Sequence, residues 1–159
     1  MSAIRGLHHV GLHVTDLKRS EQFYVGIVGF EPLFSWNPRA PYINQLTGYV
    51  DVDLHATILQ LPGTSTSLEI MEYRNVDQIP ARAADAQPGT AHLAFYVDDL
   101  ESIYAQWTSR GVRAVSAPVT PTIGPNEGGR VVYMLDPDGY RLELIESRTS
   151  FAEFAHEHG

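Results

Sequence analysis

Two stretches of this chain, His9-Val-Gly-Leu-His-Val-Thr-Asp16-Leu17 and His92-Leu-Ala-Phe-Tyr-Val-Asp-Asp99-Leu100, share the pattern H-x-x-x-x-V-x-D-L. Each begins like an alternating β-strand and ends at an aspartate, a residue that often caps the start of a helix. A pattern that returns once along a chain indicates two copies of one structural unit. The sequence therefore predicts an internal duplication.

The remainder of each half follows the same order of elements. A helical pattern comes after each aspartate, clearest after the second, where apolar residues recur at i, i+3, i+4 and i+7. Glycine follows each helix, at Gly29 and Gly111, and further strand-like runs come after it. These runs are 30–36, 54–61 and 67–73 in the first half and 112–115, 130–135 and 140–146 in the second. Each half is therefore predicted to be βαβββ.

We predict an α+β fold in which paired βαβββ modules form an open, cleft-containing sheet with the helices outside. One domain covers residues 1–159, with modules at about 7–74 and 90–147, a linker at 75–89 and a C-terminal tail at 148–159. The concave surface of such a sheet is where a ligand site would form.

Composition narrows the function. With 43% hydrophobic and 19% charged residues, the 159-residue chain has an ordinary globular composition. A net charge of −8 with a single lysine disfavours nucleic acid and anionic membranes as partners. We find no apolar run long enough to span a bilayer and no signal peptide, and we expect a cytoplasmic protein. Because cysteine is absent, any metal site must use nitrogen and oxygen ligands.

Two histidines occupy matching positions in the duplicated strands. Side chains alternate across a strand, so His9 shares a face with Gly11, and His92 shares a face with Ala94. The intervening aliphatic residues are predicted to enter the core beneath the helix. Both histidines are therefore predicted to point into the cleft.

The last strand of each half carries a matching acid. Glu69 lies between Leu68 and Ile70, and Glu143 likewise lies between two leucines. By alternation, the aliphatic neighbours enter the core and both carboxylates point towards the cleft. A single His or Glu on a strand is usually a solvated surface residue, but the duplication makes chance placement in both halves less plausible. Two imidazoles and two carboxylates suit Fe²⁺, Mn²⁺, Co²⁺, Ni²⁺ or Zn²⁺, and we predict one divalent ion per site.

The chain resembles the vicinal oxygen chelate superfamily, which includes glyoxalase I, methylmalonyl-CoA epimerase, extradiol dioxygenases, and fosfomycin and bleomycin resistance proteins. The segments that carry the resemblance are HHVGLHVTDLKRSEQFY, GTAHLAFYVDDL and DPDGYRLELIE. The family's metal histidines match His9 and His92, and its final metal glutamate matches Glu143. In the glyoxalase I pattern, the remaining glutamate ligand matches Glu69.

The resemblance implies a metal-dependent isomerase or lyase that chelates vicinal oxygens of a small carbonyl substrate and moves a proton through an enediolate or enolate. Glu69 would be both a metal ligand and the catalytic base. One alternative is an Fe²⁺ extradiol dioxygenase, which uses two histidines and one glutamate. A second glutamate ligand favours proton transfer over that reaction. The other alternative is a non-catalytic resistance protein that binds a small molecule.

Three further residues are candidates for substrate binding: His13, Tyr96 and Arg130. His13 stands where glyoxalase I carries an arginine for glutathione, which argues against glutathione as co-substrate. The glycine-rich run 124–130 could bind a carboxylate or phosphate, although such runs are more often plain turns. The long loop 36–49 could be a lid over the cleft. As partners we expect a small-molecule substrate and a second copy of the chain in a homodimer.

Overall fold

The computed structural model describes residues 4–78, 88–147 and 149–158, and divides the chain into two compact units, Met1–Pro80 and Ala81–Gly159. We call them unit 1 and unit 2. Each contains one of the two predicted modules. Most of the predicted linker 75–89 lies outside the described residues.

Unit 1 contains a four-stranded mixed sheet with the strand order β1-β4-β3-β2. Strands β1 and β4 are parallel, and the other two pairings are antiparallel. The helix α1 continues directly into a π-helical turn at Tyr24–Val28. The elements in chain order are β1 His9–His13, α1 Leu17–Phe23, β2 Glu31–Trp36, α2 Pro41–Thr47, β3 Leu54–Gln60 and β4 Ser67–Tyr73.

Unit 2 contains a three-stranded mixed sheet with the strand order β5-β7-β6. Here β5 and β7 are parallel, as β1 and β4 are in unit 1, while β6 and β7 are antiparallel. The elements are β5 His92–Tyr96, α3 Leu100–Ser109, β6 Arg130–Leu135, β7 Arg141–Glu146 and α4 Phe151–His158. The predicted α+β class is confirmed.

The predicted strand at 112–115 is wrong as a full strand. Ala114 forms only an isolated bridge with Met134, and Val119 forms another with Val131. Proline supplies no backbone N–H, and Pro118 and Pro121, which follow this segment on either side of Val119, prevent a longer ladder with β6. Unit 2 therefore has three strands in its described sheet where four were predicted.

Two helices were not predicted from the sequence. The presumed loop at 36–49 contains α2, which has proline in its first turn and ends at Gly48 with a left-handed backbone (φ 76°). The C-terminal tail contains α4. No helix in the described part of the chain is long and apolar enough to cross a membrane.

Both predicted helix caps are confirmed. The Arg19 N–H donates to the Asp16 carboxylate at 2.9 Å, and the Ser102 N–H donates to the Asp99 carboxylate at 3.0 Å. A second acid also reaches each helix start from the last strand of its unit. Glu72 accepts the Leu17 N–H at 3.2 Å, and Glu146 accepts the Leu100 N–H at 2.8 Å. These bonds satisfy N–H groups that have no partner within the helix and tie each helix to its sheet.

Most of the buried strand residues lie on the helix side of each sheet. Leu68 and Ile70 in β4 are buried, as are Leu142 and Leu144 in β7. The predicted alternation is therefore confirmed around both glutamates. The opposite side of each sheet carries the paired histidines and glutamates, and we call it the site face.

Candidate metal centre

The first histidine and glutamate lie next to each other in unit 1. In the parallel pairing of β1 with β4, His9 is opposite Ser67 and Gly11 is opposite Glu69. The two side chains of interest meet diagonally, with His9 Nε2 3.1 Å from Glu69 Oε2. The imidazole is 39% exposed and the carboxylate 11% exposed. We call them the first pair.

The second histidine and glutamate repeat this geometry in unit 2. Strand β5 is parallel to β7, with Ala94 opposite Glu143. His92 Nε2 lies 3.2 Å from Glu143 Oε2, and the two side chains are 49% and 17% exposed. We call them the second pair. Duplicated sequence has thus produced the same local contact twice.

The two pairs belong to different units. Among the described residues, no group of three or more His, Cys, Asp or Glu side chains lies close enough together to hold a metal ion. Each pair by itself supplies two ligands. That all four residues bind one ion stays a prediction.

The donor atoms of each pair fit two ligands of a divalent ion. Two ligands at about 2.1 Å from an ion, on perpendicular bonds, are about 3.0 Å apart. The observed separations of 3.1 and 3.2 Å are close to this value. Imidazole and carboxylate donors suit iron, manganese, cobalt, nickel and zinc.

The surroundings of Glu143 are polar and charged. Tyr133 in β6 is directly opposite Glu143 and hydrogen-bonds to its carboxylate. The ring of Tyr133 also meets the edge of His92, with centroids 5.7 Å apart. Arg141 places its guanidinium 5.3 Å from the centre of the Tyr133 ring, a cation–π contact. The second pair is therefore held by a tyrosine that touches both of its members.

Burial raises the pKa of Tyr133, and the negative charge of Glu143 raises it further. Arg141 opposes this by lowering the pKa of the phenol. The hydroxyl consequently stays protonated in the ordinary pH range and donates its hydrogen bond to Glu143.

The surroundings of Glu69 are more apolar. The residue opposite it in β3 is Ile58, in the position that Tyr133 occupies relative to Glu143. Glu69 is 8% exposed as a whole residue. A side chain at Gly11 would bring its Cβ within 2.8 Å of the Met71 methyl group, so the glycine leaves room for Met71 beside the first pair.

Tyr73 is two residues beyond Met71 on the same face. Its ring contacts His13 at 5.2 Å and Tyr49 at 5.9 Å between centroids. Burial raises the pKa of Tyr73, and the charges of Tyr49 and Glu69 add to that effect. The phenol stays neutral at the edge of the first pair.

The predicted substrate-binding residues fall in three different environments. His13 lies four residues beyond His9 in β1 and packs on Tyr73. Tyr96 follows on the face of His92 and is 62% exposed. Arg130 lies elsewhere: it pairs with Glu101 in the first turn of α3, on the helix side of its sheet.

The glycine-rich run 124–130 lines a cavity of about 510 Å³ in unit 2. Three acids, Asp98, Glu127 and Glu146, line that cavity, which makes it a poor site for a carboxylate or phosphate. Gly129 is required there by close packing, because a Cβ would lie 2.3 Å from the Glu146 carbonyl oxygen.

Arg141 and Met71 were not among the residues that the sequence predicted for the site. Each lies two positions along a strand from a candidate glutamate, so simple alternation places both on the site face. Strand periodicity could have identified both residues, because it also places the residues two positions from each glutamate on the site face.

Comparison with known proteins supports the same family. Residues 6–144 match the family model described as the Glyoxalase/Bleomycin resistance protein/Dioxygenase superfamily. A 2-epi-5-epi-valiolone epimerase from Actinomyces sp is 35% identical over 144 residues, covering 87% of this chain and 78% of the relative. A lactoylglutathione lyase from Haemophilus influenzae is 35% identical over 147 residues, covering 89% and 93%.

Solved structures share the fold at lower identity. A glyoxalase family protein from Bacillus cereus superposes with a TM-score of 0.79 at 18% identity, over 92% of this chain and 96% of that one. The trypanothione-dependent glyoxalase I of Leishmania major gives a TM-score of 0.65 at 22% identity, over 98% and 91%. With a family model that spans most of the residues and two relatives named as an epimerase and a lyase, the chain belongs to the glyoxalase/bleomycin resistance protein/dioxygenase superfamily.

Proposed function

We propose that this protein is a divalent-metal-dependent isomerase or lyase that moves a proton on a small hydroxycarbonyl substrate. The main support for this proposal is the duplicated His–Glu pair, in which imidazole Nε2 and carboxylate Oε2 are 3.1 and 3.2 Å apart. The two glutamates lie in different surroundings. His9, Glu69, His92 and Glu143 would hold the ion. Once bound, the metal would polarise the substrate carbonyl and favour negative charge on its oxygen.

We assign the role of general base to Glu69. In the described structure, Ile58 lies opposite Glu69, whereas a tyrosine hydroxyl lies opposite Glu143 and bonds to it. An aliphatic neighbour leaves the Glu69 carboxylate oxygens open to a substrate proton, whereas the Tyr133 hydroxyl occupies the Glu143 carboxylate. Glu69 would remove the proton from the carbon next to the carbonyl, giving the enediolate or enolate, and then return it to the same or the neighbouring carbon.

Glu143 would remain a fixed ligand throughout the reaction. Its hydrogen bond to Tyr133 orients the carboxylate, as groups that support a metal ligand usually do. These two roles argue against the dioxygenase alternative. Proton transfer needs a base, and a further carboxylate ligand would occupy a coordination position of the metal that O₂ requires.

Proton exchange tests this assignment directly. We would load the purified protein with Mn²⁺, Co²⁺, Ni²⁺ or Zn²⁺, quantify the bound metal, and follow deuterium uptake at the carbinol carbon of 2-hydroxycyclohexanone in D₂O by NMR. With the other three ligands in place, we expect metal-loaded Glu69→Gln to lose exchange by about 10²–10⁴-fold, the usual contribution of a general base.

Glu31→Gln is the matched control, because Glu31 is another acid on the site face of unit 1 and lies on the edge strand β2, three strands across the sheet from His9. It should leave both metal content and exchange unchanged. Protein that binds no divalent metal would contradict the proposal. Oxygen uptake with catechol and Fe²⁺, unaffected by Glu69→Gln, would instead indicate the dioxygenase.

A homodimer and a cytoplasmic location stay predictions. Light scattering during size-exclusion chromatography, with and without metal, tests the homodimer.

A further inference from the structure

The ring of His8 contacts the ring of His9 at the start of β1. His8 Nδ1 lies 2.8 Å from His9 Nδ1, with the ring centroids 5.1 Å apart and the ring planes at 79° to each other. Neighbouring residues inside a strand point to opposite faces and do not meet in this way. His8 precedes β1, and the register with β4 begins only at His9, so the His8 ring can turn towards the site face.

Both ring nitrogens of His9 are engaged in polar contacts. Its Nε2 lies 3.1 Å from the Glu69 carboxylate, and its Nδ1 lies against His8. A neutral imidazole has one nitrogen that donates a hydrogen bond and one that accepts. Because an ionised carboxylate can only accept, the neutral His9 ring carries its proton on Nε2 and accepts at Nδ1. His8 therefore donates from its own Nδ1.

A metal ion on His9 Nε2 would reverse these roles. A histidine that binds a metal through one ring nitrogen usually donates the N–H of its other nitrogen to a neighbouring acceptor, and this bond fixes the orientation of the ring. In the described structure, the atom in that position is His8 Nδ1. An imidazole nitrogen can take either role, depending on which nitrogen carries the proton.

The second pair cannot make this contact. The residue before His92 is Ala91, whose methyl group neither donates nor accepts a hydrogen bond. His92 instead meets the ring of Tyr133, which also bonds to the glutamate of its pair. The first pair has an isoleucine in place of that tyrosine. In unit 1, the imidazole of His8 is therefore the group that can orient the metal-binding histidine.

We infer that His8 is a positioning residue of the first pair, which holds the His9 ring through a hydrogen bond between the two Nδ1 atoms and reverses the direction of that bond when a metal ion binds. The reversal rests on the proposed function, whereas the contact itself does not. On reversal, the Nε2 proton of His9 leaves to solvent, the proton between the rings moves from His8 to His9, and the exposed His8 takes up a proton on Nε2 from solvent. Both rings stay neutral.

Nitrogen-15 NMR of the imidazole groups distinguishes the two tautomers of each histidine. We would record two-bond ¹⁵N–¹H spectra of the full chain at about pH 8.5, where free imidazole is neutral, before and after saturation with Zn²⁺. Without metal, we expect His8 in the Nδ1–H form, although a solvated imidazole prefers the Nε2–H form. With Zn²⁺, His8 should change to the Nε2–H form. The His8→Asn variant lacks the His8 signals and so assigns them.

Two substitutions of nearly equal shape separate hydrogen bonding from packing. Asparagine puts a polar atom where histidine has Nδ1 and can both donate and accept, whereas leucine puts a methyl group there. By calorimetric titration with Zn²⁺, we expect His8→Leu to lower the affinity about tenfold. This is the low end of the range of about 10–100-fold for residues that orient a ligand, because water can replace an exposed contact. His8→Asn should keep most of the affinity.

His156→Leu is the matched control, because His156 is an exposed histidine on α4 in unit 2. It should change neither the Zn²⁺ affinity nor the tautomer of His8.

His8 in the Nε2–H form without metal, or wild-type affinity in His8→Leu, would overturn the inference. Equal losses in His8→Asn and His8→Leu would also overturn it, because they would indicate packing rather than a hydrogen bond. If no Zn²⁺ binds while His8 is in the Nδ1–H form, the proposed function fails and the contact stands. If Zn²⁺ binds and supports proton exchange while His8 keeps one tautomer, the proposed function stands and the inference fails.

Discussion

The first and second pairs have the same residues and nearly the same separation, but different neighbours. Glu69 faces Ile58 across the strand, while Glu143 faces Tyr133 and lies near Arg141. The duplication has thus kept the ligand types and changed what stabilises the two carboxylates. A carboxylate that is oriented by a hydrogen bond suits a permanent ligand, and a carboxylate whose oxygens are open to the substrate suits a proton acceptor. The difference between units is therefore the physical basis for assigning the two glutamates different roles.

Replacing each glutamate by glutamine should separate those roles most strongly. We expect Glu69→Gln to bind metal more tightly than Glu143→Gln does and, once loaded, to lose turnover by about 10²–10⁴-fold. Glu143→Gln should instead lose metal, with an affinity change larger than the 10–100-fold usual for a residue that only supports a ligand. Elemental analysis and calorimetric titration measure both. Equal loss of metal in the two variants would remove the functional difference between the pairs.

Removing the hydroxyl group of Tyr133 should weaken the second pair alone. Tyr133→Phe keeps the ring contact with His92 and deletes the hydrogen bond to Glu143. We expect the metal affinity to fall about 10–100-fold, as for other residues that orient a ligand. Tyr104→Phe, on α3 away from the pair, is the control. An unchanged dissociation constant in Tyr133→Phe would show that the phenol does not support Glu143.

The duplicated helix caps provide a comparison of stability between units. Asp16→Ala and Asp99→Ala should each lower the free energy of unfolding by about 1 kcal/mol, because each deletes one hydrogen bond to a helix N-terminus. Urea denaturation monitored by circular dichroism measures the change. Asp138→Ala, in a turn outside both helices, controls for loss of charge. A change in the free energy of unfolding below about 0.2 kcal/mol in either variant would contradict the assigned cap.

Alkaline pH should produce the smallest effect. Because the pKa values of Tyr73 and Tyr133 are raised in the folded protein, the unfolded chain releases these protons first as the pH increases. The free energy of unfolding is then expected to fall as the pH rises from about 10 through the raised values. Denaturation at pH 9 and pH 11 measures the slope. Tyr73→Phe and Tyr133→Phe should each flatten it, and steeper slopes would mean that the sign of the shifts is wrong.

Local patterns predicted the parts of this fold that depend on neighbouring residues. Alternation around Glu69 and Glu143 correctly separated buried aliphatic residues from the site face, and aspartate in the caps correctly marked both helix starts. The pattern overestimated the strand at 112–115, since a short apolar run does not reveal whether its backbone will find a partner. It also missed α2, because the proline at its start and the glycine at its end are residues that commonly mark a loop.

The residues of the candidate site were also only partly predictable from local patterns. Spacing alone selected His9, Glu69, His92 and Glu143, because repetition in sequence implies repetition in structure. Spacing could not place Arg130 against Glu101 or Arg141 against Tyr133, because long side chains reach across strands and helices in ways that periodicity does not encode.

The sequence by itself determined the duplication, the strand faces and the types of ligand, since these follow from the side-chain period of a strand and from the chemistry of histidine and glutamate. Only the tertiary structure decided which residue lies across from each glutamate. That choice depends on the register between β3 and β4 and between β6 and β7, which is set by pairing of segments distant in the chain. Through that register, two similar glutamates acquired an apolar neighbour in one unit and a hydrogen-bonding tyrosine in the other.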